Sequence, residues 1–215
     1  MSAPTGPVRL AVVSAGLSVP SSTRLLADRL ADAVAGRLGE DGGRVEVDVV
    51  ELRPLAHPLA DHLLTGFATG ELAAAIDTVR RADALVVVTP VFAASYSGLF
   101  KTFFDVLEPG LLEGKPVLIG ATAGTARHSL VLDHAMRPLF SHLRALVVPT
   151  AVFAASEDFG DTSDGALEER VHRAAGELVA LLGGTAARPA PREQALPGPD
   201  EEFGDPVPFE RLLAG

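Results

Sequence analysis

The stretch SAGLSVPSSTR, Ser14 to Arg24, packs five hydroxyl side chains and one glycine directly behind the apolar run 8–13. Ser14 ends that run, and Ser18, Ser21, Ser22 and Thr23 lead into a segment with helical spacing. A helix N-terminus carries unpaired N–H groups and partial positive charge, so hydroxyl donors gathered there suit an anion. Two missing patterns narrow which anion. A triphosphate loop needs G-x-x-x-x-G-K-[ST] and the stretch has no lysine; a dinucleotide fingerprint needs G-x-G-x-x-G and only Gly16 is present. Neutral donors without lysine suit a terminal phosphate monoester, as on FMN, with Arg24 available to moderate its charge. The plainer reading is helix capping, but one cap needs only one hydroxyl.

Two further segments share this character. TPVFAASYSGLFKTFFD, residues 89–105, puts Pro90, which is expected to stop a strand, ahead of Val91, Phe92, Ser95 and the single tyrosine, Tyr96. Ser97 and Gly98 then open a helical pattern. Aromatic and small residues at such a place suit a flat apolar slot for a ring system, or an aromatic-rich turn packed on the core. ATAGTARHS, residues 121–129, brings Thr122, Ala123, Gly124 and Thr125 in the same way. Alone it reads as a turn; three such loops converging on one crevice carry more weight. His57 and His62 are interrupted by Pro58, and His128, His134 and His142 fall on different helix faces, so none reads as a metal ligand.

The elements that must position these residues follow from the apolar pattern. Runs at 8–13, 45–50, 84–88, 116–121 and 146–155 are continuous rather than alternating, as in parallel strands covered on both faces. Helical spacing covers about 22–38, 71–81, 98–107, 129–143 and 165–182. Strands alternating with helices give an α/β fold, and of the two competing strand orders five strands favour the flavodoxin-like one. The expected architecture is a three-layer sandwich on a five-stranded parallel sheet of order 2-1-3-4-5, in which loops after strands one, three and four meet.

Composition limits the partners. Hydrophobic residues at 47% and charged residues at 21% describe a globular chain, and a net charge of −10 argues against nucleic acid or an anionic membrane. No cysteine is present, which excludes disulfides, thiolate nucleophiles and zinc–thiolate sites. The opening MSAPTGPVRL lacks the pattern of a signal peptide and no run reaches membrane-spanning length, so a cytoplasmic protein is expected. Residues 1–184 read as one FMN-binding domain and 185–215 as a proline-rich C-terminal extension. Its end, FGDPVPFERLL, turns apolar again, to dock on the body or a second subunit, or to fray.

Over roughly residues 8–182 the chain resembles the NAD(P)H-dependent FMN reductases of flavodoxin-like fold, in particular those serving two-component flavin monooxygenases. The resemblance rests on SAGLSVPSSTRLLADRL, on TPVFAASYSGLFKTFFD and on ATAGTARHSLVLDHAMRPLFSHLRA. It implies that Ser18, Ser21, Ser22 and Thr23 hold the FMN phosphate. Pro90, Val91 and Phe92 would line the isoalloxazine with Ser95 to Gly98 nearby, and Thr122 to Thr125 would contact its other side. Two departures stand out: Ala123-Gly124 replaces a common Gly-Gly pair, and Phe92 replaces the commoner tyrosine. The family's helix after the fourth strand can carry a distorting inserted residue. His134 occupies that position, at a tetramer interface near the flavin if the likeness extends so far, or as an ordinary exposed histidine; Pro138 supports a local irregularity.

The expected activity is hydride transfer from NADPH or NADH to flavin N5, with FMN released to a monooxygenase and the chain a homodimer or homotetramer. Such chemistry belongs to the cofactors and asks the protein only for stacking and orientation, which fits a chain without a catalytic triad. The alternatives are an FMN-bound quinone or azo reductase and a non-enzymatic flavodoxin-type carrier. A phosphate-switched receiver domain would need acids where Ser14 and Thr89 stand. Arg24 and Arg127 are the candidates for the group that recognises the 2′-phosphate of NADPH.

Overall fold

Continuous apolar runs bury both faces of a strand. The computed structural model describes residues 6–40, 42–159 and 165–184 and places those runs side by side in one sheet. β1 (Val8–Ser14) lies between β2 (Val45–Glu51) and β3 (Ala84–Phe92), and β5 (Pro116–Ala123) follows β3, all parallel. On the far flank of β5 pair β6 (Leu146–Val147) and then β7 (Val152–Ala155), so the five parallel positions run in the expected order 2-1-3-4-5. A two-residue β4 (Ser95–Tyr96) folds back antiparallel on β3.

Alternate residues feed two cores. Leu10, Val12, Val86, Val88 and Leu118 pack under α1 (Ser22–Glu40) and α6 (Ala166–Gly184). Ala11, Val13, Leu85, Val87, Val117 and Ile119 pack on the opposite layer. That layer comprises α2 (Ala56–Thr65), α3 (Gly70–Arg81), α4 (Gly98–Asp105) and α5 (Arg137–His142). Gly120 lets α1 approach, since a Cβ there would lie 3.2 Å from Val88 Cγ2 and 3.3 Å from Leu30 Cδ1. The three layers are the flavodoxin-like arrangement.

Four expectations need correction. The run 45–50 is not covered on both faces: β2 is an edge strand in which Glu46 and Asp48 alternate with valines, and of its residues only Val50 is buried. Pro90 does not stop the third strand, which pairs with β5 through Pro90 and Thr122. The Val88 carbonyl accepts from Ala15 N, so residues of that parity point toward β1, and β1 has already departed when Pro90 is reached. The missing N–H therefore faces no partner, as on an edge strand. The fifth strand is not continuous: from Val117↔Val147 to Gly120↔Val152, β5 advances three residues while its neighbour advances five. Pro149 sits in the bulge, whose polar groups are met from outside. Arg137 donates to the Val148 and Pro149 carbonyls, both at 3.0 Å, and Glu177 accepts from Thr150 N and Oγ1 at 2.6 and 2.7 Å.

Residues 129–143, expected as a helix with a local irregularity near His134 and Pro138, carry that irregularity. A 3₁₀ turn (Ala126–His128) is followed by a π-helical turn (Leu132–Met136) and only then by α5. Pro138 cannot donate to the His134 carbonyl and its ring would collide with it in an α-helix. The wider π turn moves that carbonyl aside and bonds Arg137 N to Leu132 O instead. Fourth, α2 is absent from the sequence-based expectation; its signals are Leu55 and Leu59 four apart and buried, with Pro58 tolerated in the first turn and Gly66 closing the helix at φ 78°. Among the described residues no helix is long and apolar enough to cross a membrane. The extension 185–215 lies outside the described residues.

Candidate functional site

Neighbouring strands lie about 4.8 Å apart, and Ser14, Val88 and Gly120 stand in register across β1, β3 and β5. The loops leaving these strands therefore open on one edge of the sheet, where ligands of such sheets bind.

In the first loop Ser21 caps α1, its Oγ accepting from Arg24 N at 3.2 Å. Gly16 folds against this cap so closely that a Cβ would lie 2.1 Å from Ser21 Oγ. Ser18 and Ser22 are exposed, and the N–H groups of Ser22 and Thr23 precede the first helical bond, Leu25 N to Ser21 O. Thr23 is buried, with Oγ1 2.8 Å from Oγ1 of buried Thr122. Its backbone can serve an anion while its side chain fixes the helix to β5. Ser14 is also buried, on the face of Leu10 and Val12.

Arg24 does not reach over the phosphate loop. Its Nε donates to Asp28 at 2.7 Å and its Nη1 to Glu51 at 2.6 Å. The Asp28 hydrogen bond, aided by Glu51 and opposed by burial, holds the guanidinium pKa above its ordinary value. With this cation neutralised, the loop offers neutral donors.

The second loop is a two-residue hairpin. Phe92 pairs with Ser95, and Ala93 and Ala94 between them take φ 48° and 65°, the left-handed geometry of a type I′ turn. Phe92 is exposed, whereas Pro90 and Val91 are half-buried and Tyr96 leads inward, its ring 5.9 Å from Phe100. Ser97 is spent on structure: its Oγ accepts from Phe100 N at 3.1 Å and its N–H donates to Thr89 Oγ1 at 3.1 Å. Thr89 organises this hairpin without any signal in the sequence, because a lone threonine before a proline does not announce the contact. Gly98 opens on empty space.

The third loop follows Thr122 and half-buried Ala123. Residues 124–130 are all exposed, and a Cβ at Gly124 would meet nothing within 4 Å. Protein packing therefore does not require Gly124, and the space above it can take a ring. Exposed His134 lies on the π turn, which β4 touches. Two surface depressions, one lined by Arg9, Glu46 and Arg81 and one by Pro58, Phe67 and Glu71, lie away from these loops.

The residues present fit FMN. Hydroxyls and unpaired N–H groups at the start of α1 suit its phosphate, and the open ground beside Phe92, Gly98 and Gly124 suits its ring.

Comparison with known proteins agrees. A family model described as NADPH-dependent FMN reductase matches residues 8–160. The chain is 39% identical over 184 residues to an FMN reductase (NADPH) of Pseudomonas aeruginosa, covering 84% of this chain and 95% of that one. It is 38% identical over 186 residues to the NADH-dependent FMN reductase SfnF of Pseudomonas fluorescens, covering 85% and 96%. The crystal structure of an oxidoreductase from Corynebacterium diphtheriae superposes with a TM-score of 0.80 at 49% identity, over 83% of this chain and 98% of that one. A family model over most of the chain, and relatives whose length the chain spans almost entirely, place the protein in the NADPH-dependent FMN reductase family, oxidoreductases that carry electrons from NAD(P)H to FMN.

Proposed function

We propose that the shelf at the carboxyl ends of β1, β3 and β5 binds FMN as an exchangeable substrate, reduces it with NAD(P)H and releases it to a flavin-dependent monooxygenase. Ser18, Ser21, Ser22 and the backbone of Thr23 hold the phosphate without a cation. Pro90, Val91 and Phe92 support one side of the ring, with Ser95 to Gly98 beside it, and Thr122 to Thr125 border the other. Ser14 contributes by ending β1 in register, and Thr23 and Ser97 contribute side chains that brace the site from within.

When bound, FMN supplies the hydride-accepting N5. The chain would contribute orientation: half-buried Pro90 and Val91 would support the ring, and exposed residues 124–130 would leave room for a nicotinamide beside it. No side chain on the edge is required to take a proton from a buried position, in keeping with hydride chemistry carried by the cofactors.

The observation that carries the exchange reading is the exposure of residues 17–20, 92–94 and 124–130, which border the shelf without roofing it. The name of the SfnF relative, an NADH-dependent FMN reductase, supports the same assignment. A homodimer or homotetramer with His134 at a subunit contact belongs to this proposal, as does a cytoplasmic location.

NADPH and NADH oxidation by desalted protein, measured while FMN is titrated in, tests it. Saturable dependence on added FMN is expected. Turnover by a yellow protein without added FMN would replace this reading with a flavoenzyme serving another acceptor.

A further inference from the structure

The relatives divide between NADPH and NADH in their names, so the nucleotide preference of this chain must be read from its own residues. NADPH differs from NADH by one phosphate, which carries nearly two negative charges at neutral pH. A chain of net charge −10 repels that group unless a cation waits where it lands.

The first and third loops, with the helical turns they enter, carry one arginine each. Arg24 is held by two carboxylates, Asp28 and Glu51. Arg127 stands in the 3₁₀ turn after β5, exposed, and among the described residues it has neither an ion pair nor a side-chain hydrogen bond. Thr125, at the start of that turn, makes no side-chain capping bond to it and is exposed as well. Lys101, on α4 beyond the second loop, is paired with Asp105. Arg53 is also without an ion pair, but it follows β2, on the opposite side of β1 from β3 and β5.

We propose that Arg127, assisted by the Thr125 hydroxyl, binds the 2′-phosphate of NADPH and sets a preference for NADPH over NADH. The inference rests on the FMN reductase reading of the same edge. A guanidinium presents its donors as a planar fork that matches a phosphate, and an exposed one freed of carboxylates has no internal bond to surrender on binding. Its position beside the open ground at Gly124 keeps it within the loop that borders the flavin, so that a nucleotide laid over the ring meets it at the rim.

The test compares the full-length protein with Arg127→Ala. The ratio of kcat/KM for NADPH to that for NADH should exceed one in the unaltered protein and fall roughly ten- to hundred-fold in the variant, the range for a charge-assisted hydrogen bond. Calorimetric titration with 2′,5′-ADP and with ADP supplies a readout independent of turnover: the unaltered protein should favour 2′,5′-ADP and the variant should not. An equal loss with both nucleotides, an unchanged ratio, or a starting ratio at or below one overturns the proposal. Failure of the unaltered protein to oxidise either nucleotide with FMN present would instead overturn the functional reading beneath it.

Discussion

The hydroxyls of Thr23 and Thr122 lie 2.8 Å apart, each residue 3% exposed, and join the first turn of α1 to the end of β5. The two residues are 99 positions apart in the chain. Their bond ties the first loop, proposed to hold the phosphate, to the third loop, proposed to border the ring. Removing one hydroxyl leaves the other buried without this partner, at a cost of about 1 to 3 kcal/mol. Thr23→Val and Thr122→Val should each lower stability in urea by that much and weaken FMN binding. The double variant should lose less than the sum, and strict additivity in the denaturation cycle would show that the bond contributes nothing.

Gly16 is needed for closeness rather than for backbone freedom. In Gly16→Ala the new methyl would meet Ser21 Oγ at 2.1 Å, Ser21 Cβ at 3.1 Å and Thr23 Cβ at 3.3 Å. Ser21 must then rotate away from Arg24 N, and the helix loses a cap worth about 1 kcal/mol. FMN affinity, followed by quenching of flavin fluorescence, should fall roughly ten-fold, the effect of losing one hydrogen bond to a charged group. Unaltered affinity would mean that the Ser21 hydroxyl plays no part in holding the phosphate.

The Ala93-Ala94 turn holds strain. Each left-handed alanine costs roughly 1 kcal/mol or more, while Asn-Gly adopts the same turn readily. Ala93→Asn with Ala94→Gly should raise stability by about 1 kcal/mol, part of the relief being offset by the unfolded-state entropy of glycine. A thermal midpoint that falls would mean that the two methyl groups pack against something that outweighs the strain.

Arg137 clasps the bulge between β6 and β7 to the π turn. It bonds the Val148 and Pro149 carbonyls and also Asp133, 3.2 Å away on the π turn. Arg137→Ala should destabilise the chain by about 1.5 to 3 kcal/mol, since two carbonyls lose a charged donor. Arg137→Lys should recover less than half, because one ammonium lacks the fork that reaches both. Full recovery by lysine would reduce the role to simple charge.

The sequence by itself determined the sheet, its order and the three loops. The runs in β1, β3 and β5 are apolar almost throughout and buried on both faces, the run in β2 alternates with Glu46 and Asp48 and lies at the exposed edge, and hydroxyl-rich or glycine-bearing ends signal where the chain opens toward a ligand. In β3 the span Leu85 to Val88 is apolar at every position and buried throughout, which is why it was legible as a central strand. Local pattern could not show which hydroxyls face outward. Ser18 and Ser22 do so, while Thr23 and Ser97 turn in, because that depends on partners at Thr122 and Phe100 that only folding delivers. Arg24 and Arg127 differ partly in the chain, where Asp28 stands one helical turn after Arg24, and fully only when tertiary structure sets Glu51 beside Arg24 as well. Pro90 shows the reason most plainly: a residue without an N–H breaks a strand or passes unnoticed according to whether a neighbour stands on that side, and a neighbour is a property of the fold.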